Sequence, residues 1–372
     1  MLGVHGAWGV RPGGSVVDAV AAWRLWFCGV MRFDLMTGGL PLTRMQDLAR
    51  DAHAAGFDGL VVTEAGRTAY LGCAVASLAA PVDVLTGIAV AFARSPMVTA
   101  ATAWELAEAS GGRFRLGLGT QVRAHIERRY GMCFDSPGPR LREYVLAVRA
   151  CFAAFRGSAP LNFDGQYWKL SLLPPMWSPG PIAFPDPPID VAAVNPWMLR
   201  MAGQVADGVH VHPLNTPTYL REMVLPCLAQ GVAAAGRSLG ELEVIVPCFI
   251  APGDSEEDRR QWWELARAQV AFYGSTPNYA FIFDQIGFDG TTAKLRERQK
   301  AGDLAGMISV ISDECLAHFV VAGTWDEIGS ALVERYRGVA TRVVDYFAAQ
   351  AWARDPGSLK RWASVADAVH AA

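Results

Sequence analysis

From residue 31 onward, short runs rich in Val, Ile, Leu and Phe alternate with stretches whose apolar residues recur every three or four positions. The runs at 31–36, 59–63, 84–91, 114–118, 188–194, 208–212, 243–250 and 342–347 are bounded by Gly, Asp or Pro and read as strands. Helical spacing fills the gaps. In the first gap Leu42, Met45, Leu48, Ala49 and Ala52 fall on one face. Eight strands separated by helices predict an α/β fold, a parallel (β/α)8 TIM barrel, in preference to an open sheet. No G-x-G-x-x-G follows the first strand, which disfavours the doubly wound alternative.

Helix ends are marked by side chains that satisfy free backbone groups. Thr43 with Gln46 and Thr324 with Glu327 read as capping boxes. Ser95-Pro96, Asn195-Pro196 and Thr216-Pro217 each place a capping side chain before a proline suited to the first turn. Gly56, Gly111 and Gly236 sit where helices should stop. Ala55-Gly56-Phe57-Asp58-Gly59 and Ala206-Asp207-Gly208 echo one another before strands two and six. As helix-to-strand turns they belong on the N-terminal face and are read as structural. Two insertions break the alternation after strands four and seven. Residues 156–187 hold an expected hairpin around Asn162–Trp168, and residues 274–320 hold extra helices. Both emerge where a barrel builds its lid.

Composition narrows the classes. The chain has 372 residues, 52% of them hydrophobic, and a formal net charge of -3. No block of like charge points to nucleic acid, and no apolar run is long enough to cross a membrane. Seven cysteines without a C-x-x-C read as reduced thiols in a cytoplasmic protein. Residues 1–30 lack the basic start of a signal peptide, and Arg24 interrupts their apolar stretch. They are expected to be a loose extension or the product of an upstream start codon. Residues 31–372 are then one barrel domain.

Chemistry is sought at the C-terminal ends of the strands. Val62-Thr63-Glu64-Ala65 ends strand two, where a carboxylate can accept a hydrogen bond from a polar ring or stand as a plain loop acid. Strand four runs into Gly117-Leu118-Gly119-Thr120-Gln121-Val122-Arg123-Ala124-His125. Its glycines let a flat ring approach, and His125 offers a titratable imidazole; the alternative is a flexible connector. Asn195 can open an anion-binding helix N-terminus or simply cap it. His210 and His212 share one strand face, but no other candidate strand carries a histidine, so no metal is expected. The strands contain no lysine, against Schiff-base chemistry, and no G-x-S-x-G marks a hydrolase.

An ordered series of motifs resembles the luciferase-like flavin and deazaflavin oxidoreductases across about 31–347. It comprises Phe33-Asp34-Leu35, Ala55–Gly59, Val62-Thr63-Glu64, Thr86–Val90, Ser95-Pro96, Ser110–Thr120, Phe163-Asp164-Gly165 and Ala202–Val209. The 119–125 version resembles the branch that uses the deazaflavin coenzyme F420. The resemblance implies a flavin-like ring in the barrel mouth. It places Thr63 and Glu64 at the ring's polar edge. Gly87, Ile88 and Ala89 lie behind it, with a non-proline cis step expected at Gly87–Ile88. Gly119 and Thr120 lie on one face, and Ala193, Val194, Asn195 and His212 towards the coenzyme tail. His125 is the expected proton-exchange residue and Glu64 the ring-orienting one. The sugar dehydrogenases of this branch carry a histidine and a glutamate where this chain has Ala65 and Val122, which disfavours that substrate class. The expected function is hydride transfer between F420 and an organic small molecule. The alternatives are an FMN-dependent monooxygenase and a ligand-binding barrel without turnover. A homodimer or larger homo-oligomer is implied.

Overall fold

A computed structural model describes residues 31–372; the expectation for residues 1–30 falls outside them. Eight parallel strands close on themselves: β1 Arg32–Thr37, β2 Gly59–Val62, β3 Asp83–Thr86, β4 Phe114–Gly119, β5 Ile189–Ala192, β6 Gly208–His210, β7 Glu243–Pro252 and β8 Arg342–Asp345. The seam is the β8–β1 pairing, where Arg32 to Leu35 run beside Arg342 to Asp345. The outer helices are α1 Leu42–Ala54, α2 Ala69–Ala79, α3 Pro96–Ala109, α4 Pro137–Arg156, α5 Pro196–Val205, α6 Leu225–Ala234, α7 Trp325–Tyr336 and α8 Ser358–His370.

The eight expected strands are present, each within a few residues of its expected ends. The hairpin after β4 pairs Phe163-Asp164 with Lys169-Leu170. Four short helices fill the insertion after β7. An additional strand, Val320–Gly323, runs parallel to the outer end of β7. Ser95, Asn195 and Thr216 cap their helices, and the Thr324–Glu327 box forms. The Thr43–Gln46 box does not: Arg44 and Met45 already bond back to the Pro41 carbonyl, so Thr43 lies inside the first turn.

The two echoed turns do the same structural work. Asp58, just before β2, accepts from the backbone N–H of Phe33 at the start of β1, at 2.7 Å. Asp207, just before β6, accepts from Ile189 at the start of β5, at 2.8 Å. In each, a carboxylate satisfies a backbone donor at the start of the preceding strand.

Alternate residues fill the barrel in layers. The lowest is ionic. Arg342 spans to Asp34 at 2.6 and 2.8 Å and to Asp83 at 2.9 Å, and Arg115 grips Asp190 at 2.9 and 2.6 Å. Above it Met36, Val61, Leu85, Ile245 and Val344 form an apolar cluster distinct from the core between strands and helices. His210 fills the space beside them. A Cβ on Gly117 would lie 2.6 Å from its Nε2, and one on Gly87 would lie 3.4 Å from its Cε1. Gly117 therefore makes room for a histidine plug beneath the mouth, whereas Gly87 makes room for Val61, whose Cγ1 would lie 2.1 Å from a Cβ there.

Candidate active site

The floor of the mouth is a break in β3. The Gly87–Ile88 peptide is cis, and pairing resumes at Ala89-Val90. Leu85 faces Arg115 and Ala89 faces Leu118, so four steps on one strand match three on the other, one residue extra. The Thr86 hydroxyl bridges the gap, donating to the Gly117 carbonyl and accepting from its N–H, both at 2.8 Å. Ile88 lies over Gly119, where a Cβ would come within 2.7 Å of its Cδ1. The structure thus brings Gly87, Ile88, Ala89 and Gly119 into one shelf. Thr120 follows at its rim, and its hydroxyl turns to the Gln121 carbonyl.

Glu64 reaches this shelf from β2. Its buried carboxylate accepts from the Val90 N–H at 2.7 Å and from both Arg94 Nη atoms at 2.9 and 2.5 Å. Arg94 also lies 4.9 Å above the Tyr70 ring. Thr63 lines a neighbouring cavity of about 250 Å³ with Leu40, Arg67 and Thr68. A larger opening of about 440 Å³, lined by Pro277, Thr292 and Arg296, lies in the insertion after β7, among residues other than the strand ends.

The three residues expected near the coenzyme tail on β5 make contacts of their own. Ala193 packs into the core between barrel and helices, and Ala192 is the residue beside the Gly119 position. The Val194 carbonyl accepts from the Tyr219 hydroxyl at 2.6 Å. Asn195 caps α5 through Met198, the plainer of its two expected roles. His125 is exposed on the short helix Arg123–Arg128, whose only buried residue is Ile126, and its ring has no hydrogen-bond partner among the described residues. It is not brought together with the other candidates.

Opposite Glu64, four strands away around the barrel, His212 follows the end of β6. Its Nδ1 accepts from the Leu214 N–H at 3.1 Å. Its ring lies 4.7 Å from that of Tyr273, at the end of the helix Glu256–Gly274 that follows β7, and 4.3 Å from that of Tyr279, in the insertion beyond it. The Tyr273 hydroxyl meets that of Tyr346, just after β8, at 2.6 Å. Arg94, Thr86 and these tyrosines were not singled out from the sequence. Tyr346 had a signal, since it directly follows a strand end.

Burial pushes His212 down to about 3 and His210 down to about 4. For His210, Asp190 at 3.9 Å only partly offsets the effect. Burial raises Asp345, behind β8, to about 7 against two backbone N–H bonds. The signs differ. Each histidine is neutral when folded but protonates near pH 6.5 when unfolded, so its contribution is lost on acidification below that value. Asp345 keeps a proton that the unfolded chain gives up near pH 4, so its contribution is present at low pH and is lost as pH rises towards 7. Between about pH 4.5 and 6 these groups together leave the unfolded chain one proton richer, or about 1.4 kcal/mol of stability lost per unit of acidification. Asp345→Asn should remove the opposing effect and about double that slope in urea titrations. An unchanged slope would show that Asp345 is ionised in the folded protein.

Among the described residues there is no grouping of His, Cys, Asp and Glu suited to a metal, and no helix long and apolar enough to cross a membrane. The sequence profile of the luciferase-like monooxygenases matches residues 25–342. An uncharacterized protein of Mycobacterium tuberculosis is 38% identical over 84% of this chain and 93% of its own length. The 5,10-methylenetetrahydromethanopterin reductase of Methanopyrus kandleri is 26% identical over 81% of this chain and 88% of its own. The solved coenzyme F420-dependent tetrahydromethanopterin reductase of that organism superposes with a TM-score of 0.72 at 20% identity, covering 91% of this chain and 97% of that one. The oxygenating constituent of 3,6-diketocamphane monooxygenase from the CAM plasmid of Pseudomonas putida, solved with FMN, superposes with a TM-score of 0.63 at 14% identity, covering 92% and 99%.

Proposed function

This chain belongs to the luciferase-like monooxygenase family, and we propose that within it the protein is an oxidoreductase that uses coenzyme F420 to move a hydride to or from an organic substrate. The observation that carries the reading is the M. kandleri reductase, similar to this chain over most of both sequences. The mouth fits a flat ring. Ile88, Ala89 and Gly119 form a shelf of small and apolar groups, backed by the cis step and braced by Thr86 and Glu64. Thr63, Gly87 and Thr120 border it, and one acceptor position of Glu64 is left for a polar ring edge.

When bound, the deazaflavin would supply hydride chemistry at its C5 carbon. The chain's part is placement. Glu64 and Thr86 fix the shelf from two sides. The His210 plug and the apolar layer beneath it close the floor to water. The insertions after β4 and β7 border the opening. His125, exposed and unpartnered, is left with proton exchange only if its helix moves on ligand binding. FMN is the second reading, favoured by the P. putida neighbour.

One titration separates the two. Purified from a host that makes no deazaflavin, the protein should be colourless. Fluorescence titration should show F420 binding in the micromolar range or tighter, and FMN at least about tenfold more weakly, a gap of 1.4 kcal/mol. Tightly bound FMN carried through purification would reverse the assignment.

A further inference from the structure

His212 is held in a single chemical form and left open at one atom. The Leu214 N–H occupies Nδ1, so the proton of the neutral ring resides on Nε2. Burial keeps the ring neutral far below pH 7. Nε2 has no hydrogen-bond partner among the described residues, yet it is not among the sealed and unpartnered buried atoms, as the Nε2 of His210 is. Tyr273 and Tyr279 pack against the ring and fix its plane. The Tyr273–Tyr346 hydroxyl pair places two phenols beside the same wall. Burial raises the pKa of each, so both remain protonated. One phenol donates to the other, and the acceptor's own proton is free for a third group.

We infer that His212 Nε2–H is the hydrogen-bond donor to a substrate oxygen, that of a carbonyl in the reducing direction or of a hydroxyl in the reverse, and that the Tyr273–Tyr346 pair carries the proton. This rests on the proposed F420 reading. In the reducing direction the carbonyl carbon gains a hydride, with its electron pair, from the reduced deazaflavin. The carbonyl π bond becomes a lone pair on oxygen. That oxygen takes a proton from the phenol pair, which is reprotonated from solvent. A neutral imidazole suits the donor's part: it polarises the oxygen without giving up its only ring proton. Its position opposite Glu64 sets the oxygen across the mouth from the β2–β3 side of the shelf.

The test has two arms. In the first, nitrogen-15 NMR of histidine-labelled protein without coenzyme reads the ring directly. The Nε2–H form is expected, unchanged down to about pH 5; an Nδ1–H form, or a midpoint near the ordinary 6.5, would overturn the inference whatever the coenzyme. In the second, protein loaded with reduced F420 is offered a panel of aldehydes and ketones and a matched panel of alkenes and imines without oxygen. Turnover should be confined to the carbonyl panel. His212→Phe should lower kcat about 100-fold, in the range for loss of one such donor, with F420 affinity within about twofold, against the coenzyme-tail contact that the resemblance implied for this residue. His212→Gln, which restores an N–H, should recover part of the loss. Tyr346→Phe should also lower kcat. Turnover of the oxygen-free panel alone, or an unchanged kcat in His212→Phe, would overturn it. Failure of F420 to bind would instead sink the coenzyme reading, while the first arm still judges His212.

Discussion

Arg342→Met should cost the protein about 3–5 kcal/mol, the range seen when one member of a buried ion pair is removed. The guanidinium is fully buried and makes three hydrogen bonds to two carboxylates. Burial alone would lower its pKa, but Asp34 and Asp83 outweigh that and hold it above the ordinary value. Its partner Asp34 lies 308 residues earlier in sequence, so the pair clasps β8 to β1 at the barrel seam. Methionine fills much of the same space and leaves Asp34 buried beside no counter-charge. The carboxyl must then take up a proton or draw in water. Asp34→Asn combined with Arg342→Met should therefore recover most of the loss, and the single variant should gain stability as pH falls. The Arg361–Asp254 pair, about half exposed on both sides, should change stability by less than about 1 kcal/mol when broken. Urea unfolding of these three variants beside the parent protein is the measurement. A loss below about 1 kcal/mol in Arg342→Met would show that the ionic layer adds little to closure.

This layer also marks a limit of sequence reading. Strand existence and order were legible because buried parallel strands are continuous apolar runs, and caps such as Asn195-Pro196 and Thr324–Glu327 depend on neighbours three residues away. The ionic layer depends on partners hundreds of residues apart. Its trace was nonetheless present: β1, β3, β4, β5 and β8 each carry a charged, inward-facing residue near the start, namely Asp34, Asp83, Arg115, Asp190 and Arg342. Charges recurring at one end of apolar strands signal mutual pairing inside a barrel. At the other end, the glycines at 117 and 119 were read as room for a flat ring. Gly117 makes room for His210 and Gly119 for Ile88. The Thr43–Gln46 box failed because the Pro41 carbonyl starts the helix first. The motif series located the mouth, but which side chains meet there depended on register: Ala193 and Ala192 are adjacent in sequence and face opposite sides of the wall. The tyrosines around His212 come from three different segments, the helix after β7, the insertion beyond it and the end of β8, and no periodic pattern specifies their meeting.

Glu64→Gln should separate support of the shelf from contact with the ring. The sequence placed this acid at a polar ring edge. The structure gives it three donors already, Val90 N–H and the two Arg94 Nη atoms. Glutamine keeps the shape but replaces one acceptor oxygen with an NH2 group and removes the charge. With the amide oxygen facing Arg94 Nη2 and the NH2 group facing Val90, Arg94 would keep one neutral acceptor, its weak contacts to Thr68 at 3.4 Å and to the Val90 carbonyl at 3.5 Å, and the Tyr70 face. The expected stability loss is about 2–3 kcal/mol, below that of Arg342→Met because the Arg94 side chain is 23% exposed and water can reach it. Val90 directly follows the bulge, so freeing its N–H should also loosen the shelf and weaken F420 binding by about tenfold or more. The double variant Glu64→Gln with Arg94→Met decides the cause. If stability and F420 affinity both return, Glu64 acts as a positioning residue through Arg94. If stability returns and affinity stays low, its remaining acceptor position touches the coenzyme. If Glu64→Gln alters neither, the carboxylate is dispensable and the shelf is held by Thr86 and the β3–β4 pairing.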